Sequence, residues 1–204
     1  MEAKLLLLPW FMCVLYSSIP LFWFAIHPFA GRWRKLQRSP YLLLLPLWAA
    51  IIVALAWIAW PWRRVELYHP LRGWWMMAIA PALCCFWLGL RIYRRTFAEF
   101  GAHKLSGEAE LRPEEHAQAL VTTGLHAHMR HPIYMGHLSM LAGWTLISGL
   151  LVNFVLFAAC TLVTFPLMIW LEERELEKRF GDRFEEYKAR VPLFPIPGFK
   201  GTRA

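Results

Sequence analysis

The chain has 204 residues, of which 58% are hydrophobic and 18% charged, with 12 Trp, 14 Phe and a net charge of +8. A soluble domain usually carries about 45–50% apolar and about 25% charged residues. The apolar excess is too large for one small buried core, so a water-soluble globular domain is excluded and lipid is the expected solvent.

Four charge-free runs follow in chain order. They run from Leu5 up to Arg32, from Ser39 to Trp62, from Gly73 to Leu90, and from His131 to Leu171. The first is too long and lacks the small-residue cleavage site of a secretory signal, so it reads as a retained anchor. The last holds 41 residues, which as a helix would reach about 60 Å, roughly twice the hydrocarbon thickness. It must fold back, and Gly149 to Asn153 is where Gly and Asn tolerate a turn. The fold class is therefore all-α. It is a polytopic membrane protein of about five transmembrane helices, at about 5–26, 41–60, 74–92, 134–149 and 154–171. Residues 1–92 form a three-span scaffold, and 93–204 carry the polar, chemically capable stretches.

Basic residues set the orientation. The loop at 27–40 holds four, the segment 91–133 six and the tail from 172 eight, whereas only Lys4, Arg63, Arg64 and Arg72 fall on the opposite side. The positive-inside rule then places the long loop and the C-terminus in the cytoplasm. These residues flank spans and meet anionic membrane lipids. No nucleic-acid motif accompanies them, so nucleic acid is not an expected partner.

Cys13, Cys84, Cys85 and Cys160 all lie inside apolar runs without CxxC spacing, and read as buried free thiols. His126, His128 and His131 form a HxHxxH cluster. It lacks an acidic or Cys partner at ligand spacing, so no metal site is expected. Pro113 before Glu114 and Glu115 marks a helix start. Thr122-Thr123-Gly124 breaks that helix, and Arg130-His131-Pro132 opens the fourth span. A polar helix follows from Glu172, with Gly181 as its break, and closes in a Pro-rich loop.

Several elements occur in one order: Leu120-Val121-Thr122-Thr123-Gly124-Leu125, then Arg130-His131-Pro132-Ile133-Tyr134-Met135-Gly136, then Glu172-Glu173, Phe180-Gly181, Tyr187 and Arg190-Val191-Pro192. Over about residues 100–199 this resembles the isoprenylcysteine carboxyl methyltransferase family, in its short prokaryotic form, and the related membrane phospholipid methyltransferases. The resemblance implies a methyltransferase using S-adenosyl-L-methionine, with a cofactor pocket at the cytoplasmic membrane face and a prokaryotic inner-membrane location. It assigns to the cofactor Gln118, Ala119, Leu120, Val121, Gly124, His126, His131, Pro132, Ile133, Tyr134, Glu172 and Glu173. It assigns Arg130 and Arg190 to the acceptor side as catalytic residues. Where eukaryotic members hold substrate with an Arg four residues before the cofactor-binding Glu, this chain has Met168.

The implied acceptor is lipidic or prenylated and enters from the bilayer. A prenyl, isoprenoid or lipid carboxylate is favoured, because a carboxylate is already ionised and an arginine can grip it bidentately. A phospholipid or other lipid amine is the alternative. An amine would need a base, for which His131, Tyr134 or water could serve. Two further readings stay open, a non-catalytic membrane protein and a sterol-reductase-like enzyme.

Overall fold

A computed structural model describes residues 6–35, 41–69, 72–105 and 120–195. Among these the backbone is helical apart from turns and one isolated bridge between Glu66 and Leu150. Helix α1 spans Leu7–Phe24 and α2 spans Tyr41–Ala59. Helix α3 spans Ile79–Leu105 and α4 spans Pro132–Ser148. Helix α5 runs Leu151–Phe180, and α6 is Asp182–Arg190. Four helical stretches are long and apolar enough to cross a membrane: Leu7–Trp33, Tyr41–Trp62, Met76–Glu99 and Leu151–Phe180.

The fifth expected span, α4, has only 17 residues, about 25 Å against a hydrocarbon core of about 30 Å. It is enclosed by protein rather than lipid, packing on α3, α1 and α5. That placement explains its composition. Small and hydroxylated residues lie buried along it, including Gly136, Ser139, Gly143, Thr145 and Ser148. Each of the three hydroxyls bonds a backbone carbonyl: Ser139 to Met135, Thr145 to Asn153 and Ser148 to Thr145. Close helix approach in membranes relies on such small residues. A Cβ added at Gly136 would stand 2.8 Å from the Tyr93 ring, and one at Gly143 2.7 Å from that of Phe86. By contrast α2 is apolar all round and presents Leu42, Val53 and Trp57 outward, the pattern of a lipid-facing helix.

The turn between α4 and α5 falls where the sequence places it. Gly149 adopts φ 63°, and a side chain there would collide with the Tyr68 carbonyl. Leu67 N–H donates to the Gly149 carbonyl at 2.8 Å, Leu151 N–H to that of Val65 at 2.9 Å, and the Tyr68 hydroxyl to that of Leu146 at 2.7 Å. The segment after α2 thus pins the hairpin tip.

Two elements differ from expectation in extent. Helix α3 begins after a 3-10 stretch, Gly73–Ala78, and continues to Leu105, well past residue 92. Nothing after Leu90 breaks a helix there, and Arg91, Arg94 and Arg95 merely mark its exit from the apolar region. Helix α5 likewise carries the span into its polar extension without interruption, with one π-helical turn at Cys160–Thr164. Pro166 follows directly; it has no N–H to give the preceding turn, and its ring crowds the carbonyl four residues back. The break at Gly181 is present with φ 53°, and α6 folds back so that Phe184, Tyr187 and Val191 pack against Leu120, Leu176 and Phe180. The helix start at Pro113 lies outside the described residues.

Candidate active site at the base of the α4–α5 hairpin

The hairpin returns the end of α5 to the start of α4, and this brings residues 130–134 against 172–173. His131 caps α4 and is only 5% exposed. Its Nδ1 lies 3.3 Å from Glu172 Oε2 and its Nε2 3.1 Å from Glu173 Oε1. Burial pushes the imidazole pKa down, but the Glu172 and Glu173 carboxylates override it and hold the group raised, at about 9. His131 is thus a cation at neutral pH, gripped on both nitrogens. A base must have a free lone pair, so the base role open to His131 from sequence does not suit this geometry.

Glu173 Oε1 also accepts from Arg130 Nε at 2.8 Å. The rest of the Arg130 fork reaches backbone: Nη1 donates to the Val191 carbonyl at 2.5 Å and to that of Lys188 at 3.3 Å, while the Arg130 N–H donates to the Pro192 carbonyl at 2.9 Å. Arg130 therefore straps the end of α6 to the hairpin. Arg190 is exposed, and its Nε donates to the Glu186 carbonyl on its own helix. The two arginines are 60 residues apart in the chain, and their side chains serve different partners.

Glu172 has another character. Its Oε2 is sealed from solvent beside His131 Nδ1 at 3.3 Å, and the Tyr134 side chain also hydrogen-bonds the carboxylate. Tyr134 stacks on His131, with ring centroids 5.3 Å apart and 9° between planes. Pro132 is buried in the first turn of α4, and Ile133 packs against the core. Met168 is fully buried in that same core.

The segment before the hairpin is tied down by a residue that sequence reasoning missed. The Leu125 N–H points at both Glu99 carboxylate oxygens, 3.1 and 3.2 Å away. Gly124, at φ 61°, leaves the room that Glu99 occupies. The His126 carbonyl accepts from the Tyr187 hydroxyl at 2.8 Å. Burial, with the His131 charge beside it, lowers the His126 pKa to about 4, so this imidazole stays neutral. Leu120 and Val121 are half-buried, Leu120 in the cluster around α6. Gln118 and Ala119 lie outside the described residues. Also missed were His27 and Arg34, just beyond α1, which sit 3.3 and 2.5 Å from the Glu175 carboxylate. No spacing in the sequence links positions 141 and 148 residues apart. Among the described residues no group of His, Cys, Asp or Glu forms a metal-ligating cluster.

The model of the phospholipid methyltransferase family matches residues 77–183. The chain belongs to this family. It is 36% identical over 84 residues to protein-S-isoprenylcysteine O-methyltransferase of Schizosaccharomyces pombe, covering 41% of this chain and 35% of that one. It is 28% identical over 170 residues to methanethiol S-methyltransferase 1 of Bradyrhizobium diazoefficiens, covering 78% and 54%. A third relative, protein-S-isoprenylcysteine O-methyltransferase B of Arabidopsis thaliana, is 33% identical over 101 residues, covering 50% and 51%. The chain thus spans between about a third and just over half the length of these relatives. No solved structure matches it. The family match starts in the 3-10 stretch just before α3, so the Glu99 tether falls within it, while His27 and Arg34 lie outside.

Proposed function

We propose that the protein is an integral-membrane methyltransferase. It uses S-adenosylmethionine, bound at the basic membrane face, to methylate an apolar acceptor that arrives laterally from the bilayer. The observation that carries this reading is the buried carboxylate pair, Glu172 and Glu173, gathered round His131 at the start of α4. The residues present suit such a donor. Glu172 can accept from its ribose hydroxyls or ammonium, the neutral His126 offers a ring face for its adenine, and Tyr134, stacked on His131, backs the pair from the core side. Leu120, Val121 and Gly124, with Gln118 and Ala119, complete the proposed cofactor segment. Glu173 and Arg130 hold the wall, since the Arg130 fork joins Glu173 to the carbonyls of Lys188 and Val191.

When bound, the donor supplies an electrophilic methyl group. The protein then has to align the acceptor with it and exclude water. The fold does this at the boundary between the wet, charged end of α5 and the apolar body of α4. The carboxylate acceptor favoured from sequence calls for an arginine free to grip it. With Arg130 engaged by Glu173 and α6, and Arg190 exposed on its own helix, the reading is stated as an apolar acceptor methylated on oxygen or sulfur. These are the two chemistries in the names of the relatives above. We place the C-terminus in the cytoplasm of a prokaryotic inner membrane, with residues 93–204 as the methyltransferase-like region on a scaffold of residues 1–92.

Calorimetry in detergent tests the donor site. Losing a charge-assisted hydrogen bond costs about 1.5–3 kcal/mol, so Glu172→Gln should weaken S-adenosylmethionine binding roughly 10- to 150-fold. Unchanged affinity in a folded variant removes Glu172 from the site.

A further inference from the structure

Beside the His131–Glu172 pair, the turn that follows α1 meets the polar end of α5. His27 opens a 3-10 turn, His27–Phe29, and is buried. Its Nδ1 lies 3.3 Å from Glu175 Oε2, and Arg34 Nη2 donates to Glu175 Oε1 at 2.5 Å. Arg179, one turn further along α5, stands 3.9 Å from the same Oε1. The turn is itself anchored. The Trp23 ring stacks on the His27 imidazole at 5.1 Å with 20° between planes, and Trp33 Nε1 donates to the Ala25 carbonyl at 2.8 Å. Trp23 also packs against the core that holds Tyr134 and Met168. Glu175 lies inside the matched family region, residues 77–183, whereas His27 and Arg34 lie before it.

We propose that this turn completes the donor site from the N-terminal scaffold: His27 and Arg34 are positioning residues that set Glu172 through Glu175. This rests on the methyl-donor reading above. An α-helix advances about 100° per residue, so Glu173 lies about 100° round the axis from Glu172 on one side and Glu175 about 60° on the other. The first neighbour is gripped by Arg130 and His131, the second by Arg34 and His27. Glu172 therefore stands between two anchored carboxylates. His131 and His27 both lie close enough to act electrostatically on it.

Two features of α5 call for a second anchor. The π-helical turn at Cys160–Thr164 departs from α geometry before the polar end begins. The rotational setting of everything beyond it, Glu172 included, is then fixed by what grips the polar extension. In addition, three carboxylates within one helical turn repel one another, more strongly where water is scarce. Partners on two sides hold Glu173 and Glu175 apart from Glu172. A binding group must be kept within about 0.5 Å of its productive position, so loss of either anchor reaches the donor. Arg32 supplies an internal comparison. It lies two residues from Arg34 but rests over the Phe29 ring at 5.4 Å, and it has no carboxylate partner among the described residues.

Calorimetry of S-adenosylmethionine binding to the full chain in lipid nanodiscs tests this. Arg34→Gln and His27→Ala should each weaken binding about tenfold, within the range of couplings between contacting groups. Arg32→Gln makes the same change of charge in the same loop and should stay within about twofold of wild type. In a Glu172→Gln background, Arg34→Gln and His27→Ala should each cost less than about twofold more, because the carboxylate they set is gone. A strap that only holds the fold together would take the same factor from both backgrounds, and that result overturns the proposal. So does an equal loss in Arg32→Gln. Should His27→Ala fail to fold, Arg34→Gln carries the test, since Arg34 is the more exposed of the two. No binding by the wild type, or unchanged affinity in Glu172→Gln, defeats the donor reading, and the role of the turn falls with it. Weakened binding in Glu172→Gln with wild-type affinity in Arg34→Gln and His27→Ala defeats the role of the turn and leaves the donor reading standing.

Discussion

Arg130 Nε and Glu173 Oε1 are 2.8 Å apart, each with a side chain only 12% exposed, and the same oxygen lies 3.1 Å from His131 Nε2. A buried ion pair of this kind is strongly destabilising to break from one side, because it leaves an uncompensated charge behind. Here the pair joins three pieces of chain: the start of α4, the end of α5 and the carbonyls closing α6.

Arg130→Lys keeps the charge but loses the planar fork that spans Glu173 and the Val191 carbonyl. The cost should be about 2–3 kcal/mol, and α6 should detach from the hairpin. Limited proteolysis would register this as accelerated cleavage between Gly181 and Pro192. Arg190→Lys, exposed and bonded only to its own helix, should leave the cleavage rate unchanged. Equal behaviour of the two variants would show that the strap is not formed in the membrane.

The two site histidines give stability a defined pH optimum. His131 is raised to about 9, above its unfolded value of about 6.5, so its contribution is complete below about pH 6.5 and disappears as pH rises through 9. His126 is lowered to about 4, so its contribution is complete above about pH 6.5 and disappears as pH falls through 4. Together they predict greatest stability near pH 6.5. Thermal unfolding in detergent across pH 4–10 should show this maximum, and His131→Gln should flatten the alkaline side and, because the His131 charge helps lower His126, make the acid side shallower as well.

Gly136→Ala places a methyl against the Tyr93 ring at 2.8 Å and the Ile92 side chain at 3.3 Å. Overpacking of this order costs about 1–3 kcal/mol. The Tyr93 ring can yield only by leaving His137, whose Nδ1 is 2.6 Å from its hydroxyl. The melting temperature should drop, and Tyr93→Leu in the Gly136→Ala background should recover part of the loss. No drop at all would mean that α3 and α4 lie farther apart than described.

Much of this was legible in the sequence, and the reasons are physical. Charge-free runs give the spans because lipid tolerates no charge, and Gly149 gives the hairpin because only a residue at ease with positive φ can turn there. That residues 130–134 and 172–173 meet at one membrane face followed from the hairpin; that Arg130 and His131 pair with Glu172 and Glu173 did not. What stayed hidden depended on helix rotation rather than on pattern. Nothing in the sequence says that Glu99, Tyr93 and Tyr16 turn toward α4 or toward the turn before it. Nor could it show that Arg130 faces α6 while Arg190 faces its own helix. Both arginines sit beside a proline-linked turn, and only the packed helices assign their partners.

The last prediction concerns sidedness, on which access to the site depends. The strap, the carboxylates and the Glu99 tether all lie at the end of the bundle that also carries the basic loops. By sequence, 18 of the 22 Lys and Arg residues fall in the segments 27–40, 91–133 and 172–204, and short basic loops are retained on the cytoplasmic side. On the proposed reading S-adenosylmethionine, being polar, reaches Glu172 from water, whereas an apolar acceptor reaches α4 through lipid. A reporter fused after Ala204 should therefore be active only as a cytoplasmic fusion, and one inserted after Arg64 only when exported. The reversed pattern would put Glu172 on the side opposite to that predicted, with its water access from outside the cell, and would overturn donor delivery from the cytosol.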